Sequence, residues 1–191
     1  MAHGSIRPLR LLGAGAALLL GAAAQAAPGV PEGADVALVR GLFPEADAVA
    51  ARDVLLSDEA AARLERVARA RVKERLVTFY TARQDGAVAG YAVIHAHVVR
   101  TKRETLALAF EPDGRIRRVS ILAFLEPEEY RPSERWLAQL AGKGSGDRLA
   151  VGDDLAPITG AILSARGIAE QSRWLLAVLK ESVQAPGGAR P

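Results

Sequence analysis

The sequence predicts an α+β fold: an antiparallel sheet of about four or five strands, covered by a central amphipathic helix and a C-terminal helix. Three observations lead there. Between residues 76 and 125, alternating apolar and polar segments are joined by Asp85-Gly86 and Asp113-Gly114, dipeptides that favour tight hairpin turns. Ahead of them, apolar residues recur at helical spacing from Leu64 onward. After them, a long apolar-rich helical segment closes the chain. Strands joined by hairpins run antiparallel, and such a sheet buries a face under helices.

The chain has 191 residues, enough for one domain with a proper core. Half are hydrophobic and a quarter carry charges of mixed sign, a globular composition. The absence of cysteine excludes disulfides, iron–sulfur clusters, thiolate metal sites and thiol catalysis. The formal net charge is +3, but Arg7 and Arg10 fall in a leading segment without acids, which leaves 23 basic against 22 acidic residues. With aromatics scarce and no basic stripe, nucleic acid is not a partner this composition indicates.

Residues 1–26 read as a secretory signal peptide. Arg7 and Arg10 supply the basic region, Leu11–Ala22 the apolar run, and Ala24-Gln25-Ala26 the cleavage site, with Ala27 the mature start. That implies a periplasmic or extracytoplasmic location. Residues 27–56 read as an N-terminal linker, Pro/Gly-rich at Pro28–Gly33, and a short helix over Ala34–Leu42. Ser57 is a candidate helix cap followed by Asp58 and Glu59, which suit a helix start. Leu64, Val67, Ala68, Val72 and Leu76 then predict an amphipathic helix over Asp58–Arg75.

The period then shortens to two. Leu76–Ala82, Val88–Arg100, Glu104–Phe110 and Arg115–Leu125 read as strands. His95 and His97 share a strand face, but two ligands on one strand do not make a metal site, so they read as structural or solvent-facing. Glu126–Pro132 is a charged loop. Ser133 caps a short helix bearing Trp136, Leu137 and Leu140, stopped by Gly142. Thr159–Ser182 reads as the last helix, and residues 184–191 as a loose tail.

The chemistry concentrates where that helix begins. Thr159 can cap it, and Gly160 and Ala161 are small enough for close approach of a ligand. The first four helix amides lack intrahelical partners and carry partial positive charge, a seat for phosphate. No Ser-His-Asp arrangement, P-loop or metal-ligand set accompanies this segment, so no catalytic residue is assigned.

Ile158-Thr159-Gly160-Ala161-Ile162-Leu163-Ser164-Ala165-Arg166 resembles the Ser/Thr-Gly-Ala-Thr motif of exported FMN-binding domains. These occur in the flavin subunits of the sodium-pumping quinone reductase and the Rnf electron-transport complexes, and in stand-alone exported proteins. Phe124-Leu125-Glu126-Pro127-Glu128-Glu129-Tyr130 resembles the family's Glu-containing loop, and Trp136-Leu137-Ala138-Gln139-Leu140-Ala141-Gly142-Lys143 its Trp-x-x-Gln-Phe-x-Gly-Lys segment. The resemblance covers about residues 40–180, with the FMN-binding domain itself over residues 57–183.

The resemblance implies FMN as cofactor, an electron-carrier role rather than an enzyme with its own substrate, and a membrane electron-transport component or periplasmic redox partner. An FMN transferase belongs to the implied partners, because the family's Thr after Gly-Ala becomes esterified to the FMN phosphate. That position is Ile162, which has no hydroxyl, and the family's frequent Asp is Ala156. The implied flavin is therefore held non-covalently, by the amides of Gly160, Ala161 and Ile162, the hydroxyls of Thr159 and Ser164, and a site completed by Glu126, Tyr130 and Trp136. The alternative is a flavin-free degenerate relative that serves as a periplasmic binding or assembly module.

Overall fold

The computed structural model describes Met1, residues 33–71 and residues 74–185. The signal-peptide reading of residues 1–26 and the tail from residue 186 onward fall outside the described residues, apart from Met1. Helix α1 (Ala34–Leu42) leads into strand β1 (Ala48–Leu55), then helix α2 (Asp58–Ala68). Strands β2 (Leu76–Gln84), β3 (Ala87–Val98), β4 (Arg103–Phe110) and β5 (Ile116–Phe124) follow. A 3-10 turn at Glu128–Tyr130, the short helix α3 (Glu134–Leu137) and a second 3-10 turn at Ala138–Leu140 lead to helix α4 (Ile162–Val178), which ends in a π turn at Leu179–Val183.

The five strands form one sheet in sequence order, every neighbouring pair antiparallel. The expected α+β fold, with its antiparallel sheet and helical cover, is present. Asp85 and Gly86 both take positive φ, 50° and 79°, as a two-residue hairpin turn requires. β1 lies in the stretch read as linker and short helix; its burial alternates only weakly, and its partner β2 lies beyond an intervening helix.

α2 stops at Ala68, short of the expected Arg75. Arg69 adopts a left-handed conformation (φ 49°), and its amide closes the helix on Glu65 O. The chain must turn there because Leu76 pairs with Leu55 across β1 and β2. Of the apolar residues that suggested a longer helix, Leu64 and Ala68 are buried, Val67 is exposed, and Leu76 belongs to the strand. Ser57 does cap α2, its hydroxyl accepting from Ala60 N at 3.2 Å.

Two cores flank the sheet. On one face Val77, Phe79, Val93, Leu106, Leu108, Phe110, Val119 and Ile121 pack beneath Ala61 and Leu64 of α2 and Ala165, Ile168, Leu175 and Leu176 of α4. On the other, Val36, Val39 and Phe43, in and just after α1, cover Val49, Tyr80, Ala82, Ala92 and Ala109. Tyr80 donates its hydroxyl to Asp35 at 3.1 Å. Burial, then that hydrogen bond, pushes the phenol up to about 12. Among the described residues no helix is long and apolar enough to cross a membrane.

Candidate functional site

The segment Leu155–Ala161 is tied by hydrogen bonds to Trp136 and Gln139 on its way to α4. Ser133 caps α3, accepting from Trp136 N at 3.3 Å. That fixes Trp136, which is buried and donates its indole N–H to Ala156 O at 2.7 Å. Gln139 holds the same residue through its amide, its Oε1 accepting from Ala156 N at 2.8 Å. Beside this clasp is an open hollow of about 410 Å³, lined by Ser133, Arg135, Trp136, Gln139, Ala156, Pro157 and Ile158. Two larger hollows of about 470 Å³ lie elsewhere, one at Arg117 and Arg118, one beside Gly144–Asp147 and Lys180. None of the three is lined by Thr159, Gly160 or Ala161; the first reaches as far as Ile158.

The chain then turns at Gly160, whose φ of +83° suits a residue without a β-carbon. α4 begins at Ile162, three residues later than expected. Its cap position is Ala161, with no side-chain hydrogen bond, and Thr159 is exposed and caps nothing. The reason is the turn at Gly160: it separates Thr159 from the first helical turn. The first helical bond runs from Ala165 N to Ala161 O, so the amides of Ile162, Leu163 and Ser164 precede the ladder. Ala161 is buried, Ile162 half-buried, and Gly160 and Leu163 are exposed.

The other expected site residues divide. The Glu128–Tyr130 turn comes close to the helix mouth: a β-carbon at Gly160 would lie 3.6 Å from Glu129 O. Tyr130 carries Arg100 over its ring, 5.0 Å from the centroid. Glu126 is used at the β3–β4 hairpin, its Oε1 accepting from the amides of Thr101 and Lys102, each at 2.8 Å. Those two amides hold its carboxyl below the usual range. Lys143, which ends the Trp136–Lys143 segment, pairs with Asp154 at 3.2 Å. Burial opposes ionisation of Asp154, but the Ala150 amide, Lys143 and the Leu149 amide outweigh it and lower its value. Arg166 is exposed one turn into α4.

Ser164 leads to a second group that sequence reasoning did not assemble. Its hydroxyl is buried without a partner among the described residues, as are those of Ser172 and the indole nitrogen of Trp174. Beneath α4 lie His95, His97 and Glu104, all buried. His97 and Glu104 are cross-strand neighbours on β3 and β4. His97 Nε2 stands 3.2 Å from Glu104 Oε2, close enough for an ion pair, but no N–H points along the contact. His95 meets Gln171 Oε1 at 2.9 Å and stacks against His97, centroids 6.1 Å apart. A β-carbon at Gly167 would come within 3.3 Å of His97 Nε2, so the glycine lets α4 settle onto the imidazole. Burial lowers the His95 value, with Gln171 opposing. The histidine pair was visible in sequence; its carboxylate partner depends on the register of the β3–β4 hairpin.

Among the described residues, no three His, Asp or Glu side chains converge as a metal ion requires. No protein-family model matches the chain, and comparison with curated proteins returns no match.

Proposed function

We propose that the protein is an exported electron-transfer module that binds FMN without a covalent link. The observation that carries this reading is the mouth of α4: an uncapped helix start, preceded by Gly160 at φ +83° and small Ala161, beside a hollow of about 410 Å³. Gly160, Ala161 and the amides of Ile162 and Leu163 would receive the phosphate, with Thr159 at the rim. The isoalloxazine ring would occupy the hollow at Trp136, Ala156 and Pro157. Bound flavin supplies the redox chemistry; the polypeptide orients it and limits its contact with water. Helix amides contribute about 0.3–2 kcal/mol to anion binding. Micromolar affinity needs about 8 kcal/mol, so ring burial must supply most of it. Ile162 offers no atom for a phosphoester. Export would place the domain outside the cytoplasm, in reach of a membrane electron-transport component or a periplasmic redox partner.

Two observations favour a second reading, a flavin-free binding or assembly module. Trp136 is buried with its N–H already used, and the Tyr130 ring is covered by Arg100. The Trp136 N–H and one face of the Tyr130 ring are thus already engaged in the conformation described.

The two readings separate in one experiment. The exported chain is titrated with FMN and with riboflavin, and its visible spectrum is recorded before and after acid precipitation. Tighter binding of FMN than riboflavin, with colour released to the supernatant, is the result expected. No uptake of either selects the flavin-free module. Colour retained in the pellet overturns the assignment of Ile162.

A further inference from the structure

α1 covers only part of its sheet face. Toward the β3–β4 hairpin that face presents Leu55, Leu76, Val98 and Leu125, with exposures of 77%, 56%, 61% and 63%. Strand register puts them on one side of the sheet, at its hairpin end, on two neighbouring levels. Leu55 pairs with Leu76, Val98 with Arg103, and Leu125 N donates to Arg103 O at 3.2 Å. Ala96 and half-buried Ile94 continue the apolar surface between β2 and β4. Four large aliphatic side chains grouped in the open at one end of a sheet face are more than scattered surface leucines, and such patches mark interaction sites.

The charges around the patch are divided. Exposed Asp35, Asp53 and Glu74 lie on the β1–β2 side; Asp35 and Glu74 line the hollow of about 270 Å³ that also contains Leu76, Ile94 and Ala96. Asp53 accepts from the Thr78 hydroxyl on the same face. On the β4 side stand Arg103 and, in the hairpin, Lys102 and Arg100. The Glu126 carboxylate is taken up by the hairpin amides, and Arg100 also lies over Tyr130. A uniformly anionic surface such as a lipid bilayer would meet the cations but be repelled by three carboxylates on the same face. A second copy turned about a two-fold axis that lies in the interface, along the strand direction, meets both demands at once. The acidic side of each copy then lies over the basic side of the other, and the apolar patches meet between them.

We propose that this patch is the two-fold interface through which two copies of the chain associate. Sedimentation velocity of the exported chain over a range of concentrations tests it, with circular dichroism as a check on folding. The mass is expected to rise toward that of a dimer. Val98→Asp and Arg103→Glu each weaken association by tenfold or more, on the order of the effect of losing buried interface contacts. Asp53→Lys with Glu74→Lys does the same. An equal mixture of the Arg103→Glu chain and the Asp53→Lys/Glu74→Lys chain recovers association, because each contact in the mixed pair again joins opposite charges. A chain that stays monomeric at every concentration overturns the proposal. So does a mixture that recovers nothing, or binding to anionic vesicles without self-association.

Discussion

Trp136 and Ala156 are joined by a 2.7 Å hydrogen bond from the indole Nε1 to the peptide carbonyl. This contact ties α3 to the segment that becomes the α4 mouth. Trp136→Phe keeps most of the apolar volume but leaves that carbonyl without its partner. A buried acceptor left unpaired costs about 1–3 kcal/mol. We expect a loss of that order in urea unfolding. We also expect weaker FMN uptake, since residues 156–160 lose one of the two bonds that fix them. Unchanged uptake with lowered stability would separate the clasp from the flavin site.

Ile162→Thr restores the hydroxyl that the resembling family esterifies. Ile162 is half-buried in the first turn of α4, with exposed Leu163 beside it. Co-expressed with an FMN transferase, the variant is expected to retain flavin through acid precipitation and denaturing electrophoresis. The wild-type chain serves as the control. If the single variant gains nothing, Ala156→Asp is added to supply the carboxylate the family often carries; failure of both removes the reading of this mouth as a degenerate flavinylation site.

Much of the sheet was legible because its signals are local. Two-residue period and Asp-Gly turns are written into residues 76–125, and they delivered four strands in the right order. β1 was not legible, since Arg52 and Asp53 interrupt its apolar pattern and its partner lies beyond α2. The helix ends were misplaced for a related reason. Apolar spacing continues past Ala68 and before Ile162, but Arg69 and Gly160 break the helices by backbone conformation. At the candidate site, the small residues marked the helix mouth, but the expected Thr159 cap is absent because the chain turns at Gly160. Sequence could not say that Glu126 would close a hairpin instead, or that Trp136 would be clasped. Those outcomes depend on which loops the sheet brings together.

His97 and Glu104 form a buried pair with few other partners. Glu104 is fully buried, and both carboxylate oxygens lack an aligned donor among the described residues. His97→Leu would strand that carboxylate beneath α4. Removing one member of a buried pair costs about 3–5 kcal/mol, whereas replacing both with apolar residues is often nearly neutral. We therefore expect His97→Leu to lower the urea midpoint severely and His97→Leu/Glu104→Leu to recover most of the loss. A coupling of about 1–3 kcal/mol in the double-mutant cycle is the measurement sought. Simple additivity would mean that the two side chains do not interact.

His95 should make the fold sensitive to acid. Its value lies below the ordinary imidazole value of about 6.5 because burial disfavours the charged ring, an effect only partly offset by the Gln171 hydrogen bond. Glu74 acts in the same direction as Gln171, while His97 acts with burial. In the unfolded chain the imidazole takes up a proton as pH falls through about 6.5; in the folded chain it does so only at lower pH. Over that interval the unfolded state binds more protons. Stability therefore rises with pH there, is fully present above about 6.5, and is lost as pH falls toward the folded value, with a limiting slope of about 1.4 kcal/mol per pH unit. Thermal unfolding followed from about pH 8 to pH 5 should show a steeper loss for the wild type than for His95→Gln, which keeps a polar contact with Gln171 but does not titrate. Parallel curves for the two proteins would mean that His95 takes up no extra proton on unfolding.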